Sequence, residues 1–390
     1  MMYNLNQISR VTNVLKKNKT NYWTGHECKS FENEFSKYVG NKFSVAVSNG
    51  SVALEIALKS LNLKTGDQVI VTPRSFIISA SCVINLGLRP VFADIDKNGN
   101  LDINGISNAF NIRVKAIILV HLNGLPCDIT PIIKFVKKKK LFLIEDCSQA
   151  HGAKYKGKSV GSFGDVSTWS FCQDKIISTG GEGGMISTNN KKIWQFCWSF
   201  KDHGKNYFKV TKKNTSNKFK WLHEYYGSNY RMTEMQASLG RYQLKNLDKQ
   251  IKKRNRIANL YIKNLKNYFG KNNFFQEINF DYQNNQKNKK KNYFVNAFYR
   301  LNLYVNISKF SRDKILLSLK NNKVQCGVGA CPEIYLEKIF RRLKIRPKEK
   351  LKNAKELGKK SLMFPINPYL SDRSLKIEIK KINKTLKQLI

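Results

Sequence analysis

From Phe43 to Asp146, short and nearly all-apolar runs alternate with helix-length segments, and this alternation limits the fold more than any other feature of the chain. The runs are Phe43-Ser44-Val45-Ala46-Val47, Gln68-Val69-Ile70-Val71, Pro90-Val91-Phe92-Ala93, Ala116-Ile117-Ile118-Leu119-Val120 and Leu141-Phe142-Leu143-Ile144. Val52 to Leu61 and Ile77 to Leu86 lie between the first three and have the length of crossover helices. Parallel strands need such long connections, so the alternation predicts parallel strands joined by helices. Strands with no polar alternation are covered on both faces, as in a doubly wound α/β sheet.

Ligands of such sheets gather beyond the carboxyl ends of the strands. Those positions hold Ser48-Asn49-Gly50-Ser51, Pro73-Arg74-Ser75-Phe76, His121-Leu122-Asn123 and Glu145-Asp146. Near residue 250 the pattern changes. Leu247 to Phe269 reads as a long basic helix, and Asn279 to Asn292 is a polar, lysine- and asparagine-rich stretch. The 390 residues exceed the usual size of one domain, so we expect a large domain over 1–250 and a smaller α/β domain over 251–390. In the latter, Phe294 to Val305 reads as strand and Ser311 to Asn321 as helix. Ser371 to Ile390 reads as a terminal helix with Leu375, Ile377, Ile379, Ile382 and Leu386 as apolar contacts.

The segment from Ser170 to Gly184 places Lys175 just before Gly180, Gly181, Gly183 and Gly184. Clustered glycines let backbone approach a bound group closely, and a lysine there is a candidate Schiff-base nucleophile. Alone, it reads more readily as a solvated loop lysine. Asp146 sharpens the reading, because a carboxylate at a strand end can pair with a pyridinium nitrogen and keep such a ring electron-withdrawing. It could also cap a helix. Gly50-Ser51 stands between a strand and the apolar helix of Val52, Leu54, Ile56, Ala57 and Leu58, where free N–H groups and the Ser51 hydroxyl would bind a phosphate. Ser48 or Ser51 would serve equally as a plain helix cap.

Five segments in order carry a resemblance: Asn21-Tyr22-Trp23-Thr24-Gly25, Ser48-Asn49-Gly50-Ser51, Glu145-Asp146-Cys147-Ser148-Gln149-Ala150-His151-Gly152, Ser170 to Gly184, and Ser228-Asn229-Tyr230-Arg231-Met232-Thr233-Glu234-Met235-Gln236-Ala237. Together they resemble the DegT/DnrJ/StrS family of sugar aminotransferases, strongly over about residues 20 to 245. The likeness is weaker through Cys331-Pro332-Glu333-Ile334-Tyr335 and Ser361-Leu362-Met363-Phe364-Pro365. It implies the aspartate-aminotransferase fold, PLP fold type I, with a mainly parallel seven-stranded sheet in the large domain.

The resemblance further implies that Lys175 carries pyridoxal 5'-phosphate as a Schiff base, that Asp146 pairs with the pyridine nitrogen, and that Gln149 contacts the phenolic oxygen. Phe76 matches the aromatic that stacks on the ring, and Gly50, Ser51 and Ser170 match the phosphate-holding positions. Asn229 matches an asparagine reaching across from a partner subunit, so a homodimer with shared sites is expected. His203 matches a position near the substrate, although a histidine beside Gly204 is as often a loop hydrogen-bonder. Cys172-Gln173-Asp174, the extra glycine of Gly180-Gly181 and the segment Val324 to Pro332 depart from the family pattern.

The implied activity moves an amino group, with glutamate as donor, to a nucleotide-linked keto-sugar for amino-sugar or surface polysaccharide synthesis. A cyclitol ketone as acceptor, or a sugar dehydratase on the same fold, stays open, though Lys175 favours transfer because the family's dehydratases have histidine there. The formal charge of +43 suggests a nucleic-acid-binding protein as a remote alternative. The lysines, however, run through the whole chain without interleaved aromatics or a recognisable nucleic-acid module, as in the product of an A/T-rich gene. No apolar run is long enough to span a bilayer and no signal peptide is visible, so a cytoplasmic location is expected. The eight cysteines show neither paired spacing nor zinc-ligand spacing, which predicts reduced thiols and no metal.

Overall fold

A computed structural model of the protein describes residues 3–212, 219–270, 273–276 and 294–389. The polar stretch from Asn279 to Asn292 lies outside the described residues. The strands are β1 (Phe43–Val47), β2 (Gln68–Val71), β3 (Arg89–Phe92), β4 (Val114–Val120), β5 (Phe142–Asp146), β6 (Lys154–Tyr155), β7 (Lys158–Ser159), β8 (Val166–Ser170), β9 (Gly184–Thr188), β10 (Phe294–Val295), β11 (Arg300–Tyr304) and β12 (Ser361–Pro365).

Seven of them form one sheet in the order β1-β9-β8-β5-β4-β2-β3. The pairs β2–β3, β2–β4, β4–β5 and β5–β8 are parallel, as the alternation predicts. β9 alone runs the other way, antiparallel to both β1 and β8. The glycine-rich link between β8 and β9 has no helix to carry the chain back across the sheet, so the next strand must reverse.

The apolar strands bury both faces. Ile117, Leu119 and Leu143 point to one core, and Ile118, Val120 and Ile144 to the other. Helix Glu27–Val39 sends Phe31 and Phe35 into the first core, where Phe35 packs edge-on against Trp169 and Phe171. Helices Gly50–Lys59 and Ile78–Asn85 bring their apolar sides to the second.

β11 and β12 pair antiparallel beneath helices Leu247–Asn264, Arg312–Asn321 and Asp372–Lys387, sharing a core of Leu303, Ile315, Leu319, Phe364, Leu375 and Ile382. The expected single strand from Phe294 to Val305 is broken. β10 pairs with β6, the chain then turns through Phe298 at φ 44°, and only then does β11 begin. Ile377, expected as an apolar contact, is 48% exposed. Leu375, Ile379, Ile382 and Leu386 recur every three or four residues on one helix face, and Ile377 falls on the opposite side.

His151 is enclosed between Trp169 and Phe171, at ring centroid distances of 5.4 and 5.6 Å. Burial, with the Lys175 and Arg254 charges nearby, pushes its pKa down to about 3. A depressed folded pKa means the unfolded chain takes the proton first. Stability should therefore fall as pH drops below 6.5, by about 1.4 kcal/mol per pH unit from this group alone. Urea midpoints from pH 4 to 7 should show that slope flattened in His151→Phe; an unchanged slope would assign it elsewhere.

Candidate active site

A cavity of about 870 Å³ opens beyond the carboxyl ends of the strands. Its wall includes Gly50, Ser51, Phe76, Asp146, Gln149, Ser170 and Lys175, so seven of the residues singled out in the sequence meet in one place. β1, β5 and β8 deliver Ser48–Ser51, Asp146 and Ser170 because they are parallel neighbours or flank β9 in the same sheet.

At the end of β1, Asn49 is the helix cap, its side-chain oxygen accepting from the Val52 N–H at 2.9 Å. The sequence offered Ser48 or Ser51 for this duty. With Asn49 capping, the Ser51 hydroxyl and the first amides of the helix are left at the cavity wall. Gly50 is required sterically, since a Cβ there would lie 2.5 Å from the Ser170 Cβ. Helix start and Ser170 thus form a cradle that any side chain at 50 would fill.

Asp146 ends β5, is 5% exposed, and accepts the Ser148 N–H at 3.1 Å. The Gln149 side-chain oxygen accepts the Asn123 N–H at 2.8 Å. Phe76 is 68% exposed, an unusual state for a phenylalanine on a cavity wall. An amine, a recessed acid, an open helix start and a bare aromatic face fit the aldehyde, ring nitrogen, phosphate and ring of pyridoxal phosphate.

Lys175 is held by residues that sequence reasoning did not connect to it. Its Nζ donates to the Tyr299 hydroxyl at 3.4 Å, lies 3.5 Å from Asp174 Oδ1, and sits 5.0 Å from the centre of the Tyr299 ring. The Tyr299 hydroxyl donates to Asp174, and Arg300 Nη2 reaches Tyr299 at 3.0 Å and Asp174 at 3.3 Å. Burial alone would raise the Asp174 pKa, but the Tyr299 hydrogen bond and the Lys175 and Arg300 charges hold it below the usual carboxylate range. Burial and that same carboxylate push the Tyr299 hydroxyl up. The one available signal was Asp174, already a departure from the family pattern.

His203 and Asn229 are not on the cavity wall. Both are exposed, on adjacent segments joined by the bridge between Asp202 and Asn229 and by the His203 N–H donated to the Ser228 carbonyl at 3.1 Å. Buried Asp202 anchors this rim through Arg231 at 2.5 Å and Lys205 at 3.2 Å. Trp221, Tyr225 and Tyr226 stand exposed beside it.

Behind Asp146 lies a fully buried carboxylate. Glu145 accepts from His121 Nε2 at 3.1 Å and from the amides of Gly161, Phe163 and Gly164 at 2.7–2.8 Å. Burial would raise its pKa, but His121 and these amides outweigh that and keep it ionised. His121 Nδ1 accepts the Cys127 N–H at 3.1 Å. Cys147 completes a His-Glu-Cys group of ligand-like atoms. Here, however, the imidazole nitrogens and carboxylate oxygens are engaged in hydrogen bonds, and burial raises the Cys147 thiol well above its ordinary pKa. The group reads as a latch between β4, β5 and the loop 161–164. All eight cysteines are free thiols.

The sheet order with its one reversed strand, and the chemistry of the cavity, define a pyridoxal-phosphate-dependent enzyme of the aminotransferase class. Residues 3–383 match the model of the DegT/DnrJ/EryC1/StrS aminotransferase family, and the chain belongs to that family. It superposes on an aminotransferase from Psychrobacter cryohalolentis with a TM-score of 0.94 at 40% identity, covering 99% of this chain and 98% of that one. Helicobacter pylori PseC, an aminotransferase of pseudoaminic acid biosynthesis, gives 0.85 at 25% identity, covering 99% and 98%. GDP-perosamine synthase of Escherichia coli O157:H7 is 40% identical over 242 residues, 62% of this chain and 64% of that enzyme's length. Among the described residues no helix is long and apolar enough to cross a membrane.

Proposed function

We propose that this protein transfers an amino group from an amino acid, with glutamate as the donor, to a keto-sugar linked to a nucleotide, in amino-sugar synthesis for a surface glycan. The meeting of Lys175 and Asp146 on one cavity wall carries this reading. It is supported by relatives named as a perosamine synthase and as a dTDP-3-amino-3,6-dideoxy-galactopyranose transaminase. The lysine at 175 favours transfer over dehydration.

Bound pyridoxal phosphate supplies a ring that withdraws the electrons left when a Cα–H bond breaks. Asp146 would hold its nitrogen, Gln149 its phenolic oxygen and Phe76 its face, while Gly50, Ser51 and Ser170 would hold its phosphate. Lys175 Nζ would take the proton from the donor's Cα and, in the second half of the exchange, would deliver a proton to the acceptor carbon that gains the nitrogen. Between these events the Tyr299 hydroxyl and Asp174 keep the amine beside the cavity. The division near residues 245–255 belongs to this reading, with Tyr299 and Arg300 reaching the site from the smaller part.

Mixing the cofactor-loaded protein with glutamate should bleach its visible absorbance and release one 2-oxoglutarate per site. A nucleotide keto-sugar should then restore the colour and appear as the amino-sugar. Bleaching without any aminated sugar or cyclitol product would end the transfer reading.

The working unit in this reading is a cytoplasmic homodimer, with Asn229 and its exposed aromatic neighbours meeting the partner's cavity. Sedimentation should give the mass of two 45.0 kDa chains. Trp221→Asp should shift the equilibrium toward one chain and lower activity in parallel; a fully active monomer would refute shared sites.

A further inference from the structure

Among the described residues, the cavity wall carries two cationic side chains, Lys175 and Arg300. They share one oxygen, with Lys175 Nζ 3.4 Å and Arg300 Nη2 3.0 Å from the Tyr299 hydroxyl. An α-amino acid bears its nitrogen and its carboxylate on a single carbon. A donor whose nitrogen comes to Lys175 therefore brings its carboxylate to the neighbourhood of the guanidinium.

The present partners of Arg300 leave room for such a ligand. Both hydrogen bonds described for its guanidinium fall on Nη2, and the one to Asp174 is a single contact at 3.3 Å. Its Cζ lies 4.7 Å from the centre of the Tyr299 ring, and the side chain is 30% exposed. A guanidinium binds a carboxylate best through two parallel N–H donors, which Asp174 does not use. Asp174 loses little if the guanidinium turns away, because it is half exposed and keeps Tyr299 and Lys175.

We infer that Arg300 is the carboxylate anchor for the amino-acid donor, with Asp174 as the partner it holds until the donor arrives. This rests on Lys175 being the reactive amine. The diphosphate of the sugar nucleotide is the other anion that could claim the guanidinium, and the test separates the two.

Equilibrium binding of succinate, and of UDP and GDP in parallel, is measured on cofactor-loaded wild type, Arg300→Gln and Arg300→Lys. Arg300→Gln should weaken succinate by about tenfold or more and raise the KM for glutamate in step, whereas whichever nucleotide binds should change by less than about twofold. Arg300→Lys, which keeps charge without the fork, should fall between. Unchanged succinate binding, a loss confined to the nucleotide, or an equal loss of both would each overturn the assignment. Borohydride reduction and peptide mapping accompany the titrations. A label on Lys175 with unaltered succinate binding sinks the anchor alone, whereas wild type labelled elsewhere sinks the reading on which it rests.

Discussion

Alanine at position 175 should abolish amino transfer, lowering turnover by at least about 10³-fold, because in the proposed reaction one amine serves both as attachment point and as proton carrier. The fold should survive the change. Lys175 is on a cavity wall, its contacts to Tyr299 and Asp174 are 3.4 and 3.5 Å long, and its loss leaves Asp174 paired with Tyr299 and Arg300. The informative comparison is therefore between activity and melting temperature. Turnover should vanish with little change in melting, and added methylamine should restore a small part of it. Turnover within tenfold of wild type would remove Lys175 from the chemistry altogether.

The largest effect on stability is expected at Glu145. Truncation to alanine strands the His121 Nε2–H and the amides of Gly161, Phe163 and Gly164 without an acceptor in a dry interior. Breaking such a buried, fully paired carboxylate costs about 3–5 kcal/mol. Glu145→Gln keeps one acceptor oxygen but turns an amide nitrogen toward two N–H donors, so it should recover only part of the loss. Guanidinium titrations of both variants give the values directly. A cost below about 1 kcal/mol for alanine would mean that the amides find other partners, and the latch would not exist. Because Asp146 follows Glu145 in the same strand, both variants should also weaken cofactor retention.

Much of the sheet was legible in the sequence because its strands are buried on both faces and lose the polar alternation that would blur them. The ends of two of those strands were legible for the same reason, since Ser48–Ser51 and Glu145-Asp146 are where apolar runs stop, whereas Ser170 closes the mixed run Val166-Ser167-Thr168-Trp169 and came only from the family resemblance. Reversal of β9 was hidden, because pairing direction depends on the link before it and not on the strand's own residues. The cap at Asn49 was hidden by two serines of equal propensity beside it. Ile377 was misassigned by counting apolar residues without their angular spacing. Tyr299 and Arg300 were out of reach, because their approach to Lys175 depends on how β11, paired with a strand some sixty residues later, docks on the larger sheet.

That pairing has a consequence for how the enzyme comes into being. A ribosome that has released the chain only as far as β9 has already supplied Lys175, Asp146, Gly50 and Ser170, yet one wall of the pocket has still to be made. Tyr299 and Arg300 are translated more than a hundred residues later, and β12, which holds their strand in place, later again. A nascent chain can thus own its candidate amine well before it owns the surroundings that restrain it, and the cavity is closed only once β12 has been made.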